Sequence, residues 1–339
     1  MKRFSSVCAL ALIVGACGGD GTNPFTTSFD ANDPATTIDP DSETEVSAAG
    51  IPVLIASDLD SLSYNATDKT LTVTGLTQDG TSAVNAYRHV VDGQQTITTS
   101  DGNTYSAFVN GYTTFTRQND ALGRHSTAFV ASRAGLQAGV VMTGGQFNKF
   151  FAGTYYERNG DYVAPTAPDT RFDVTYHGTY AAGINFSGPN TDLLPIVGPI
   201  DEDIDVPRQS AYVRGLIFVN VDLNDMSVEG QIYNRTGVFR ADETADDTVG
   251  FFGFPEIALV EGVLAADGSF AGKVQNQGKL LDIGDFAGII GGDSGQALAG
   301  GTRFEDFETT FEDEIEYGVF VLDICEVGDT GDICTNALP

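Results

Sequence analysis

The chain contains no tryptophan, only three methionines and three histidines, and few basic residues for its 339 positions. Lys and Arg total 17 against 47 Asp and Glu, so the formal net charge is −30 at neutral pH. Because phosphate backbones are bound by clustered Lys and Arg, this deficit argues against a nucleic-acid partner. A surplus of negative charge instead favours a cationic ligand. No apolar run of about 18 residues follows the N-terminal segment, so no membrane-spanning helix is predicted there.

Glycine is abundant, at 40 positions, and apolar residues make up 41% of the chain, which is enough to bury a core. Clear helical stripes are few, whereas β-branched and aromatic residues alternate between turn signals. Residues 62–64 and 71–74, for example, predict a hairpin across the turn at 65–69. The composition therefore predicts an all-β protein with many turns.

The N-terminus carries the most specific motif. Two basic residues precede a short apolar segment that ends in VGAC at residues 14–17. This motif resembles a bacterial lipobox, in which the cysteine is acylated and the preceding signal peptide, here residues 1–16, is removed. We therefore expect Cys17 to be lipidated, with an ordinary signal peptide as the alternative. By the same resemblance, Gly18 after the cysteine favours the outer membrane.

Residues 17–50 contain no Lys or Arg and are rich in Gly, Thr, Asn, Asp, Ser and Pro. Such a composition predicts an extended, disordered tether behind the lipid anchor. After it we expect a smaller β-rich region over residues 51–145, a β-barrel over 146–324 and a C-terminal tail over 325–339.

Only Cys325 and Cys334 remain for pairing, because Cys8 would leave with the signal peptide and Cys17 would be acylated. In an exported chain such a pair indicates a disulfide, here closing a loop in the C-terminal tail. A metal site is the less favoured alternative, since no histidine lies near in the sequence and two thiolates alone do not make a zinc site.

The second half of the chain repeats a triplet of a large apolar residue, a variable residue and glycine. The triplets end at Gly153, Gly178, Gly215, Gly230, Gly262, Gly272, Gly288 and Gly300. Glycine weakens a strand, so its recurrence needs a reason, and strong bending of a small closed sheet supplies one. The pattern predicts an eight-stranded antiparallel up-and-down barrel, with an open sandwich as the alternative.

Three segments resemble the C-terminal β-barrel of the surface lipoproteins that include transferrin-binding protein B and factor H-binding protein. They are VNVDLNDMSVEGQI at 219–232, DGSFAG at 267–272 and GGDSGQALAG at 291–300. The resemblance spans about residues 145–322, roughly half of the chain. It implies a non-enzymatic surface binding protein, in which a handle domain, here residues 51–145, precedes the barrel.

We therefore expect an outer-membrane lipoprotein, exposed on the cell surface, that binds a ligand through its barrel and handle loops. Its partners would be the membrane, through the lipid anchor, and a protein or small-molecule ligand of cationic character. No cofactor is expected. Phe251, Phe252 and Phe254 form the candidate ligand contact, or else a turn packed on the barrel mouth. The alternatives are a structural envelope lipoprotein without a specific ligand and a secreted hydrolase.

Three weaker patterns concern chemistry. Asp201, Asp203 and Asp205 supply carboxylates of the kind that Ca²⁺ prefers, although a solvated acidic face is the favoured interpretation. Ser294 lies in a Gly-Asp-Ser-Gly turn similar to a serine-protease nucleophile segment, and a hairpin turn is favoured. His177 lies between two nearby tyrosines as a haem ligand would, and an ordinary strand histidine is favoured. The sequence thus predicts no catalytic residues and no metal site beyond the weak calcium candidates.

Overall fold

A computed structural model gives the fold as almost entirely antiparallel β-structure. The residues it describes are 46–75, 83–90, 96–98, 104–106, 109–117, 126–143, 150–167, 172–187, 210–240, 249–277, 281–308, 314–326 and 333–334. Among these residues, no helix combines the length and the apolar character that crossing a membrane requires. The predicted signal peptide (1–16) and most of the predicted tether (17–50) lie outside them, so both stay predictions.

One short helix and nine strands come first in the chain. They are α1 Val53–Ala56, β1 Leu59–Asn65, β2 Thr70–Gly75, β3 Val84–His89, β4 Thr96–Thr98, β5 Thr104–Ser106, β6 Thr113–Arg117, β7 Ser126–Arg133, β8 Leu136–Thr143 and β9 Ala152–Arg158. Nine further strands follow. They are β10 Asp173–Ser187, β11 Ser210–Asp222, β12 Ser227–Arg240, β13 Val249–Gly253, β14 Ile257–Leu264, β15 Ser269–Asn276, β16 Leu281–Gly291, β17 Ala297–Glu305 and β18 Ile315–Ile324.

Seven of the first strands form one antiparallel sheet, in the order β1-β2-β3-β6-β7-β8-β9, while β4 and β5 pair only with each other. The two edges of this first sheet come together where the amide of Asp58 donates to the carbonyl of Ala152 at 3.1 Å. A Cβ on Gly153 would lie 2.1 Å from the carbonyl oxygen of Ala56, so only glycine allows this close approach. The first sheet is therefore nearly closed.

The later strands form a closed barrel in the order β10-β11-β12-β14-β15-β16-β17-β18, and β18 pairs with β10 to complete the ring. Every pairing is antiparallel. The short strand β13 is an addition, because it pairs with residues Thr236–Arg240 at the end of β12. The predicted eight-stranded up-and-down barrel is confirmed.

The recurring glycines make room for aromatic rings inside the barrel. A Cβ on Gly288 would lie 2.4 Å from the ring of Phe270, and one on Gly300 would lie 2.5 Å from the ring of Phe320. Both phenylalanines belong to the barrel core. From the sequence, these glycines are explained by bending of the sheet. The structure adds a second reason, because the glycines leave space in which large side chains pack.

The boundary between the two sheets differs from the expected one at residues 145 and 146. The strand β9 pairs with β8 in the first sheet, and the barrel begins only at Asp173. The triplet ending at Gly153 suggested a barrel strand, but this glycine serves the closure of the first sheet instead. Glycine at a close approach has the same sequence signature in either sheet, so the pattern alone did not separate them.

The first sheet and the barrel share a hydrophobic cluster of buried residues from both. Polar contacts cross the same interface. The Tyr112 hydroxyl lies 3.0 Å from the carbonyl oxygen of Thr179 and 3.1 Å from that of Val319. The Thr154 hydroxyl donates to the Gly318 carbonyl at 3.0 Å. The barrel is thus one part of a larger packed body.

Candidate functional site

The phenylalanine segment predicted as a ligand contact lies largely against the barrel. Phe254 is 7% exposed and joins the barrel core, where its ring lies 5.4 Å from that of Phe307. Phe252 is half-buried, with its ring 5.2 Å from that of Phe254. The side chain of Phe251 is outside the described part of the chain. Of the two whose side chains are described, Phe252 is the more accessible for a contact.

An arginine lies beneath this segment, inside the barrel. The guanidinium carbon of Arg235 is 4.8 Å, 5.1 Å and 5.4 Å from the ring centres of Phe307, Phe304 and Phe254. Its charge is therefore surrounded by π-faces, which attract cations. The side chain is fully buried, and so is that of Glu316, whose Oε2 lies 2.6 Å from a guanidinium nitrogen of Arg235.

The ion pair belongs to a network that connects four strands across the barrel interior. The Tyr180 hydroxyl lies 2.8 Å from Oε1 of Glu316 and 2.9 Å from the Thr302 hydroxyl. Burial raises the pKa of Glu316, and the charge of Arg235 opposes this shift. Burial also raises the pKa of Tyr180, and the Glu316 charge adds to that effect. The network pairs its charges inside the barrel and links the four strands that carry them.

Sequence reasoning missed this network because a bulge reverses the alternation of β12. Ile232 faces the core, so strict alternation would place Asn234 inside and Arg235 outside. Asn234 has a φ of +51° and is exposed, and the register with β11 shifts between Arg214 and Leu216. The bulge therefore turns Arg235 into the barrel. An arginine next to asparagine, which tolerates positive φ, is the only local signal.

An apolar surface lies on the outside of the same two strands. Leu216 is 36% exposed and lies opposite Tyr233 in the β11–β12 ladder. The Phe218 ring, half-buried, lies 6.2 Å from the ring of Tyr233. We call Leu216, Phe218 and Tyr233 the outer face. Exposed aromatic and aliphatic groups that share one area are typical of contact surfaces.

Carboxylates border the outer face. Glu229 is exposed near the start of β12, and Glu256 accepts a hydrogen bond of 2.7 Å from the Gln231 amide. Gln231 itself lies opposite Phe218 in the ladder. We call Glu229 and Glu256 the acidic rim. An apolar centre with a negative border suits a partner that presents apolar and cationic groups together.

The predicted disulfide between Cys325 and Cys334 is present. Contrary to the sequence expectation, a histidine lies beside it: ligand atoms of His177, Cys325 and Cys334 are all within 4.8 Å of one another. The reason is topological, because pairing of the first and last barrel strands places His177 opposite Asp323. Closure of the ring brings together residues far apart in the sequence.

Among the remaining predicted residues, Ser294 lies within the described part of the chain. Ser294 is exposed in the turn between β16 and β17, and its hydroxyl lies 3.1 Å from Oε1 of Gln296. The calcium candidates Asp201, Asp203 and Asp205 lie outside the described residues, as does Cys17. Lipidation of Cys17 and calcium binding therefore stay predictions.

No family model matches the chain, and the search of curated proteins gave no match. Solved structures of transferrin-binding protein B are similar to part of it. The Haemophilus parasuis protein, as a mutant, has 11% identity and a TM-score of 0.34, over 75% of this chain and 51% of that one. The Neisseria meningitidis protein has 14% identity and a TM-score of 0.32, over 79% and 52%. The chain thus spans about half the length of those proteins.

Proposed function

We propose that the chain is a lipid-anchored outer-membrane protein that binds a ligand at the cell surface and has no enzymatic activity. The observation that carries this proposal is the outer face, a partly exposed apolar area with an acidic rim on a closed barrel. A barrel with paired strands all round and a shared core with the first sheet is a rigid support for such a contact.

The ligand follows from the chemistry of the surface. The formal net charge of −30 attracts cations from a distance, and the acidic rim continues that field at the outer face. The partner is therefore a protein segment in which Lys or Arg stands beside apolar side chains. Phe252, at the β13 edge of the barrel, is the second candidate contact.

Attachment and location rest on the lipobox-like motif at residues 14–17. Residues 1–16 would be removed, Cys17 acylated, and residues 17–50 would form the tether to the folded body. Two or more acyl chains give stable anchoring, by about 0.8 kcal/mol for each buried CH₂. Replacement Cys17→Ser should release the chain from the membrane fraction, and protease treatment of intact cells should cleave the wild-type chain.

Binding is tested by capture and titration. The immobilised chain is exposed to culture medium or host fluid, captured proteins are identified by mass spectrometry, and the affinity of the main ligand is measured. The variant Leu216→Ser with Phe218→Ser should lose at least about tenfold in affinity, since aromatic contacts dominate interfaces. The matched variant Val84→Ser with Leu281→Ser removes two exposed apolar side chains elsewhere and should bind normally.

Other outcomes assign the chain differently. A wild-type chain that captures no protein specifically would favour the structural envelope lipoprotein. Hydrolysis of a test ester that disappears on Ser294→Ala would favour the hydrolase. Equal loss of binding in both surface variants would remove the outer face as the contact site.

A further inference from the structure

Besides the buried ion-pair network and the outer face, the structure brings together the side chains of His177, Cys325 and Cys334. The imidazole nitrogen and the two sulfur atoms lie within 4.8 Å of one another. Cys325 is 5% exposed and Cys334 is fully buried, whereas His177 is half-buried. Two thiol sulfurs and one imidazole are the ligand types that zinc prefers.

Two of the three residues are positioned without help from the disulfide. His177 lies within β10, paired with Phe218 of β11 on one side and Asp323 of β18 on the other. The amide of Cys325 donates to the carbonyl of Thr175 at 2.7 Å, which extends the same β10–β18 pairing by one residue. The sheet therefore keeps His177 and Cys325 side by side in either redox state.

Cys334 returns to this pair through a short loop, since it lies nine positions after Cys325. Closing so short a loop carries a small entropic cost compared with a long one. The same closure is available to a metal ion bound between the two thiolates, because the ion would join the same residues. The tail would then be fastened either by a covalent bond or by a metal.

We propose that His177, Cys325 and Cys334 form a redox-controlled zinc site. A dithiol reductant transfers two electrons and two protons to the disulfide, giving two thiols and the cyclic disulfide of the reductant. Zinc then binds both sulfurs as thiolates and one imidazole nitrogen, and the two thiol protons are released. Three protein ligands leave the fourth tetrahedral position to water.

The required movement is small. With Zn–S of about 2.3 Å and Zn–N of about 2.0 Å, tetrahedral ligand atoms lie about 3.5–3.8 Å apart. Cleavage of the disulfide lets the sulfurs separate to this spacing, and the imidazole, whose ligand nitrogen lies within 4.8 Å of them, must approach by an amount on the order of 1 Å. The Asp323 carboxylate on the neighbouring strand is already paired with Arg133, so the attraction for a divalent cation comes from the net charge of −30 on the chain.

The test uses the full chain and cobalt(II) as a coloured substitute for zinc. The chain is reduced with a phosphine, which becomes a phosphine oxide as water supplies oxygen, and is then titrated under argon. The reduced chain should bind one cobalt with tetrahedral visible bands and thiolate charge-transfer absorption, both abolished by added zinc. The oxidised chain should give neither signal.

Variants separate the site from adventitious binding. His177→Ala should weaken cobalt binding at least about tenfold, since even loss of a group outside the ligand set costs that much. Cys334→Ser should remove the thiolate charge-transfer band. His177→Cys should retain the tetrahedral visible bands and show a stronger charge-transfer band, because it adds a third thiolate. His89→Ala, which changes a strand histidine in the first sheet, is the matched control and should behave as the wild-type chain.

Circular dichroism before each titration checks that the β-structure persists. The proposal is overturned if the reduced chain gives no tetrahedral spectrum, whether folded or unfolded. It is equally overturned if His177→Ala binds cobalt as tightly as the wild-type chain. His177 lies opposite Phe218 of the outer face, so the two proposals are kept apart by their readouts: cobalt spectra of the reduced chain test the zinc site, and ligand capture by the oxidised chain tests the outer face.

Discussion

The barrel and the first sheet bring their edges together in different ways. The barrel closes through strand pairing all round, with β18 hydrogen-bonded to β10 and β11 to β12. The first sheet closes through the amide of Asp58, the carbonyl of Ala152 and a glycine that lets the chains approach. Their buried polar groups differ as well. Among the described residues, buried charged side chains occur only in the second half of the chain. The buried polar side chains of the first sheet carry hydroxyl groups. Single substitutions should therefore be most damaging inside the barrel.

The largest expected effect is the loss of one partner of the buried ion pair. Glu316→Ala leaves Arg235 charged and unpaired in the interior, and should lower the free energy of unfolding by about 3–5 kcal/mol. Urea unfolding followed by circular dichroism measures it. The double variant Arg235→Met with Glu316→Leu removes both charges and should recover most of the loss. A single variant as stable as the double one would show that the pair is unimportant.

The first sheet should be most sensitive at its closure. Gly153→Ala places a Cβ against the Ala56 carbonyl and should cost about 1–3 kcal/mol. Gly253→Ala is the matched control, because nothing lies within 4 Å of its added Cβ. Its unfolding free energy should stay within about 0.5 kcal/mol of the wild-type value. Equal stability of the two variants would mean that the edges are not in contact.

The pH dependence should also come from the barrel. Burial raises the pKa of Glu316 in the folded chain above its ordinary value of 4.5. At a pH between 4.5 and the raised pKa of the folded chain, the folded chain binds more protons than the unfolded chain. The free energy of unfolding therefore falls as the pH rises through this interval, by at most about 1.4 kcal/mol per pH unit. Glu316→Gln should remove this part of the profile. Parallel profiles of the two chains, in urea unfolding above pH 4.5, would contradict it.

A smaller effect is expected where the two sheets meet. Tyr112→Phe deletes the hydroxyl that reaches the carbonyls of Thr179 and Val319, and should cost about 1–2 kcal/mol. Thermal unfolding should still show one transition, because the apolar cluster between the sheets remains. Two separate transitions in the variant would indicate that this hydroxyl, and not the cluster, couples the sheets.

The smallest effect should come from an exposed pair on the barrel. Lys273 Nζ lies 2.8 Å from Oδ1 of Asp285, and its side chain is 48% exposed. Lys273→Ala should cost about 0.2–1 kcal/mol, less in high salt. A loss as large as that of Glu316→Ala would erase the expected contrast between interior and surface.

Local patterns predicted the parts of the fold that depend on local geometry. The early hairpin is confirmed, with Leu62 opposite Val73, and the glycine triplets indicated the barrel correctly. Where the structure departs from the pattern, pairing over long range decides. Gly153 belongs to the closure of the first sheet, which involves residues almost one hundred positions earlier.

The candidate sites were predictable only in part. The disulfide followed from counting cysteines, and it is present. The inward direction of Arg235 depends on a bulge at Asn234, which one residue of irregular backbone decides. The position of His177 beside Cys325 depends on pairing of the first and last barrel strands. Neither the bulge nor the pairing of these strands produces a periodic pattern in the sequence.

The closed ring of strand pairings also governs how the molecule opens. Each of the eight ring strands has two neighbours, so none can detach without breaking two sets of hydrogen bonds at once. The edge strand β1, in contrast, has a ladder on one side only. Amide protons of β1 should therefore exchange with deuterium through small local openings, whereas those of the ring should exchange together, at a rate set by global unfolding.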